Sequence, residues 1–191
     1  MKNLAIFASG TGTNFTAIAA ACVRKELDAC VALLVCDKPG APVLQRAREF
    51  GVETFVFNPK EYADKASYEA EIVRLLDSKG IDLVCLAGYM RLVGETLLGA
   101  YEGRIINTHP SLLPSFKGAH AIEEAVAYGV KVYGFTIHWV SAELDGGKII
   151  AQRAFPYEGS DPAEVRRIGQ KIEHQLYIET IHKLIGAPQG R

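Results

Sequence analysis

The chain has 191 residues, 49% of them hydrophobic, and 21 Lys and Arg against 22 Asp and Glu give a formal charge of -1. That length and apolar share suit a single domain over residues 1–191 with a substantial core. The near-zero charge excludes a general attraction to nucleic acid or to a membrane surface, so any anion site has to be local. No apolar run approaches a membrane span and the N-terminus shows no small-residue cleavage pattern, so a cytoplasmic protein is expected. Cys22, Cys30, Cys36 and Cys85 form no Cys-x-x-Cys pair, which reads as reduced core thiols.

In chain order, apolar runs alternate with helical patterns. Leu4 to Ala8 reads as a strand, 14–25 as a helix, Ala29 to Cys36 as a strand and 42–50 as a helix. Val52 to Phe57, a helix over 67–79 and a strand over 82–87 follow. This is the pattern of βαβ units, and unbroken apolar runs such as Leu83-Val84-Cys85-Leu86-Ala87 suit parallel strands covered on both faces. The fold class is therefore α/β, a doubly wound, mostly parallel open sheet. After Arg104 to Asn107 come a loop, a helix near 119–128, and two strands, 132–140 and 148–155, expected as an antiparallel pair. The last helix starts at Asp161-Pro162-Ala163-Glu164, with Asp161 as cap, Pro162 in the first turn and Glu164 closing a capping box, and runs to about Leu184. Residues 186–191 read as a frayed tail.

Several segments fall where strands end. Ser9-Gly10-Thr11-Gly12-Thr13-Asn14 follows the first strand and opens the first helix. Its glycines permit close backbone approach, and the helix start offers free N–H groups to a phosphate. The alternative is a tight turn with a capped helix. The loop lacks the Gly-Lys-Ser/Thr of a nucleotide loop, although Asp37 after the second strand keeps a dinucleotide reading open. Gly88-Tyr89-Met90-Arg91 ends the fourth strand, where Arg91 suits a carboxylate or phosphate and Tyr89, Met90 and Leu92 suit a flat apolar ligand.

Asn107-Thr108-His109-Pro110-Ser111-Leu112-Leu113-Pro114 carries an amide and an imidazole on one face of an extended segment, with Thr108 on the other and Pro110 ending the ladder. Thr136, His138 and Val140 share a strand face. Glu143-Leu144-Asp145-Gly146-Gly147 then supplies a carboxylate in a tight loop. Read singly, Asp-Gly-Gly is a turn, His138 a core histidine, and Glu173-His174 a solvated helical pair. His109, His138 and Asp145 also leave open a two-histidine, one-carboxylate metal site.

Taken together and in this order, these motifs resemble the folate-dependent formyltransferases, the phosphoribosylglycinamide formyltransferases of purine synthesis among them. The resemblance covers essentially the whole chain, and the Asn-x-His-Pro-Ser-Leu-Leu-Pro element is its most specific part. It implies transfer of the formyl group of 10-formyltetrahydrofolate to the amine of glycinamide ribonucleotide, with no metal. It implies Asn107, His109 and Asp145 as the catalytic set, Gly12, Thr13 and Asn14 on the substrate phosphate, and Glu173 on the ribose hydroxyls. The folate would lie against Met90, Arg91, Leu92, Asn107, His138, Val140, Leu144 and Asp145. Partners would be these small molecules, without nucleic acid or membrane, in a monomer or homodimer. Arg91 and Lys65 are candidates for the folate carboxylates. Phe116-Lys117-Gly118 departs from many relatives, and no contact with the catalytic set is expected of it.

Such chemistry needs an uncharged amine to attack a formyl carbon and create a negative oxygen. Asn107 and a protonated His109 are expected to bind that oxygen, and Asp145 to accept the amine proton and favour the imidazolium. A formyltetrahydrofolate hydrolase, a methionyl-tRNA formyltransferase, a dinucleotide-binding domain and an inactive binding module are the alternatives. The first two would bring a regulatory domain or a basic RNA-binding domain.

Overall fold

The computed structural model describes residues 1–186; the tail expected over 187–191 lies outside them. Seven strands form one sheet in the order β3-β2-β1-β4-β5-β6-β7. The strands are β1 (Lys2–Phe7), β2 (Ala29–Cys36), β3 (Thr54–Val56), β4 (Leu83–Leu86), β5 (Ile105–His109), β6 (Val132–Trp139) and β7 (Ile149–Pro156). The first five pair in parallel, and β6 and β7 add antiparallel to β5 and to one another. The helices are α1 (Thr13–Val23), α2 (Pro42–Glu49), α3 (Lys65–Ser78), α4 (Glu95–Ala100), α5 (Ala121–Tyr128) and α6 (Pro162–Gly186).

Alternation along each strand explains the two cores. Leu4, Ile6, Leu34, Cys85, Ile106 and Ile137 face one side, with Phe15 and Ile18 of α1 and Leu176 and Tyr177 of α6. Ala5, Phe7, Leu33, Val84 and Ile105 face the other, with Ile72 and Leu76 of α3 and Leu97 of α4. A strand covered on both faces has no polar face to show, which is why β1, β2 and β4 read as unbroken apolar runs. The buried Tyr177 hydroxyl donates to the Leu86 carbonyl at 2.9 Å, fixing α6 across β4.

The chain winds outward from β1 through β2 to β3, then returns to β4 on the other side of β1. The loops after β1 and β4 therefore diverge at the switch point of the sheet, where a crevice opens. At the other end, β5 and β6 are in register as Asn107↔His138 and His109↔Thr136. Directly opposed residues of an antiparallel pair share a face, so the two imidazoles and the amide meet there.

Some expectations shift. The strand expected over 52–57 shrinks to three residues, because the Val52 N–H turns back to the Ala47 carbonyl at 2.9 Å and closes the end of α2. The capping box at α6 does not form. Asp161 Oδ1 accepts the Ala163 N–H at 2.9 Å, but the Asp161 N–H donates to the Tyr157 hydroxyl, and Glu164 pairs with Arg167. Helix α4 was not anticipated. Its first turn is capped by Glu69 of α3, whose carboxylate accepts the Gly94 and Leu97 N–H groups at 2.6 and 3.1 Å. A cap that arrives from another helix leaves no local signal.

Candidate active site

A cleft of ≈ 620 Å³ runs along the carboxyl ends of β1, β4 and β5 and the connection after β6. Of the residues expected at the site, Gly12, Thr13, Asn14, Met90, Arg91, Leu92, Asn107, His109, His138, Val140, Leu144, Asp145 and Glu173 line it, and Lys65 does not. Its two ends differ in construction.

At one end, Gly12 precedes α1 with φ +74, and no side chain caps the helix, so the first-turn amides point into the cleft. Only glycine fits: a Cβ on Gly12 would stand 2.3 Å from Val43 Cγ2. Asn14 is buried, and its Oδ1 has no partner among the described residues. Glu173 is not the solvated residue its helix suggested. Its carboxylate accepts the Thr108 hydroxyl at 2.9 Å, and burial pushes its pKa up, against the pull of hydrogen bonds from Thr108 and Asn14. The alternation along β5 turns Thr108 to α6 while Asn107 and His109 face the other way. Arg166 and Gln170 also line the cleft and were not singled out, although the spacing 166, 170, 173 marks one face of α6.

At the other end, His138 Nδ1 lies 2.9 Å from the Trp139 carbonyl oxygen, which can only accept, so Nδ1 carries the proton. In the neutral ring Nε2 is then an acceptor, and the Asn107 Nδ2 amide donates to it at 3.2 Å. Burial holds the His138 pKa below its ordinary 6.5, which keeps the ring neutral. This fixes the orientation of the Asn107 amide. The second N–H of Asn107 remains for a ligand.

His109 Nε2 lies 2.8 Å from the Phe116 carbonyl oxygen and donates to it, while Nδ1 faces Asp145 Oδ2 at 3.5 Å. The Gly118 N–H donates to the same carboxylate oxygen at 2.8 Å. The expectation that Phe116-Lys117-Gly118 stays clear of this cluster is therefore corrected, since its main chain holds both His109 and Asp145. Phe116 adopts φ +52 and Asp145 φ +48 to present these groups, each at a cost of about 1 kcal/mol. Thr136 secures the same loop, accepting the Leu113 N–H at 3.1 Å and donating to the Ser111 carbonyl at 2.7 Å. Gly147 is fixed by close approach, because a Cβ there would meet the Trp139 carbonyl oxygen at 1.6 Å.

Several of the groups the motifs singled out are engaged with protein partners. His138 Nε2 lies 3.8 Å from Asp145 Oδ1 and faces the Asn107 amide. Among the described residues no group of three or more His, Cys, Asp or Glu side chains is arranged to hold a metal ion. Asp37 is not turned to a ribose: it accepts the Ser9 hydroxyl and, at 2.8 Å, Arg91 Nε. Arg91 is thus ion-paired at Nε while it lines the cleft. Lys65 Nζ donates to the Leu92 carbonyl at 3.0 Å. Met90 and Leu92, 65% and 57% exposed, and Leu144 give the cleft an open apolar lining.

A formyl transferase family model matches residues 2–181. The phosphoribosylglycinamide formyltransferase of Bacillus subtilis is 48% identical over 188 residues, 97% of this chain and 96% of that protein. The trifunctional purine biosynthetic protein adenosine-3 of Gallus gallus is 38% identical over 91% of this chain, which matches 17% of that longer protein. Among solved structures, phosphoribosylglycinamide formyltransferase from Bacillus halodurans superposes with a TM-score of 0.93 at 52% identity, over 97% of this chain and 96% of that one. Glycinamide ribonucleotide transformylase 1 from Geobacillus kaustophilus gives a TM-score of 0.94 at 51% identity, over 97% and 100% of the two chains. With the motifs, the fold and these likenesses in agreement along nearly its whole length, the chain belongs to the formyl transferase family.

Proposed function

We propose that the chain transfers the formyl group of 10-formyltetrahydrofolate to the amine of glycinamide ribonucleotide, a reading supported by relatives named phosphoribosylglycinamide formyltransferase. The observation that carries this reading is a single cleft with an anion-type helix start at one end and the Asn107, His109, Asp145 cluster at the other. A phosphorylated amine held at α1 then directs its amino group toward the cluster, while the open apolar lining of Met90, Leu92 and Leu144 receives a flat folate. The same reading has the enzyme working without a metal, in the cytoplasm, as a monomer or homodimer with no nucleic-acid or membrane partner.

Each residue has a task that follows from its bonds. The phosphate lies on the α1 amides with Gly12 and Thr13, and its charge is favoured by the helix dipole. The Asn14 main-chain N–H stays with Gly12 and Thr13 on the phosphate, while its Oδ1 and the Glu173 carboxylate, which would repel an anion, can accept from ribose hydroxyls. The free Asn107 N–H bonds the oxygen of the formyl group as attack by the amine makes it negative, and one such donor is worth about 3 kcal/mol in the transition state. Asp145, fixed by the Gly118 N–H, accepts the amine proton directly or through a water. His109 faces the same carboxylate, so a proton passed to Nδ1 leaves an imidazolium beside the oxyanion. Both of its N–H groups then have acceptors, Phe116 and Asp145, and its contribution to the oxyanion is charge. A direct bond from His109 to the oxygen would require release of the Phe116 carbonyl.

The test combines purified protein, glycinamide ribonucleotide and 10-formyltetrahydrofolate, omits each substrate in turn, and includes a chelator control. Donor consumption only with both present, unchanged by chelator, is the expected result. Consumption without the ribonucleotide identifies a hydrolase. Binding of both without turnover identifies a binding module.

A further inference from the structure

We propose that Asp37 is a positioning residue that ties the phosphate loop to the folate loop, so that filling one end of the cleft tightens the other. The inference deepens the function proposed above and rests on it. Asp37 stands at the end of β2, outside the lining of the cleft, with a side chain 1% exposed. Its two carboxylate oxygens are divided between the loops. One accepts the Ser9 hydroxyl, at the root of the Gly10 to Asn14 segment. The other accepts Arg91 Nε at 2.8 Å, in the loop after β4.

The link closes on itself. The Met90 N–H donates to Ser9 Oγ at 2.9 Å, and the Ser9 N–H donates to the Gly88 carbonyl at 3.1 Å. The Gly10 carbonyl accepts the Val43 N–H at 3.1 Å, which fastens the phosphate loop to α2. The far end of the folate loop is anchored separately, with Lys65 on the Leu92 carbonyl and the buried Glu69 carboxylate on the Gly94 N–H. With that end held by α3, residues 88–91 and the phosphate loop share Ser9 and Asp37 as a common support. A ligand that orders either loop therefore orders part of the other, and linkage requires the effect to be equal in both directions.

The experiment measures the dissociation constant of tetrahydrofolate, which has no formyl group to transfer, with and without saturating glycinamide ribonucleotide, and the reverse pair. We expect the unmodified protein to show a ratio of about fivefold or more, and Asp37→Asn to bring it below about twofold. An asparagine has one acceptor oxygen where Asp37 uses two and carries no charge, so the ion pair with Arg91 is lost and either the guanidinium or the Ser9 hydroxyl loses its acceptor. Ser9→Ala, which removes only the hydroxyl link, should lower the ratio as well. A residue serving stability alone would lower the melting temperature and leave the ratio unchanged. A ratio near one in the unmodified protein, or a preserved ratio in folded Asp37→Asn, overturns the inference while leaving the proposed function standing. If Asp37→Asn does not fold, a preserved ratio in Ser9→Ala overturns it. If the unmodified protein binds neither ligand, the proposed function falls and this inference falls with it.

Discussion

At the Gly12 end of the cleft the groups offered to a ligand are mainly main-chain amides at the start of α1, whereas at the Asp145 end they are side chains, each turned by another residue's hydrogen bond. The first arrangement depends on backbone shape. The second depends on the identity of individual side chains. An anion held by several amides and a helix dipole loses little when one side chain is cut back, but an oxyanion or a moving proton depends on one donor or one acceptor.

The comparison is broken most directly at Asp145. Asp145→Asn preserves size but removes the proton acceptor, and kcat should fall on the order of 10³-fold while both ligands bind within about threefold of their original affinity. Steady-state kinetics with equilibrium binding checks this, and unchanged turnover would remove Asp145 from the mechanism. Asn107→Ala should lower kcat by about 10²-fold through loss of the oxyanion donor.

A pH effect sharpens the same end. His138 must be neutral to accept from Asn107, and burial holds its folded pKa below 6.5. The loss caused by protonating His138 should therefore enter a profile of kcat/KM only below 6.5, as a fall of about tenfold per unit under the folded value in addition to the fall set by protonation of the substrate amine. The unfolded chain takes up the His138 proton near 6.5 and the folded chain only at lower pH. The stability contributed by the neutral ring is thus complete above that value and is lost as pH falls beneath it. His174, also lowered by burial, adds in the same direction.

At the Gly12 end the expected effects are structural and small. Gly12→Ala places a Cβ against Val43 in left-handed backbone, and should cost about 2 kcal/mol, seen as a melting temperature lower by roughly 5 °C. Thr13→Ala should raise KM for the ribonucleotide only about threefold, because the amides of α1 remain. A loss of 10²-fold there would show that the two ends are built alike.

The sheet was legible because its strands are short apolar runs between helical patterns, and a strand such as β4, buried on both faces, has one reading. The cleft residues were legible because Asn107, His109, Asp145 and the Gly12 loop fall where strands end, and motif order linked them to a family. The 116–118 segment, Glu69 and the role of Asp37 were not. Each acts through a main-chain group or a carboxylate delivered to a distant segment, and nothing in the neighbouring sequence marks it. Glu173 was misread as solvated when taken by its helix alone, because only the packing of α6 against β5 brings it to Thr108.

The sequence by itself determined the alternation of elements, the parallel sheet with its antiparallel end, and which polar residues stand at the strand ends, since these follow from local periodicity and turn chemistry. Tertiary structure alone decided which nitrogen of His138 carries the proton, which carbonyl occupies His109, and that Asp37 pairs with Arg91. Those outcomes depend on donors and acceptors brought together from separate stretches of chain, and a linear pattern does not encode which of them will meet.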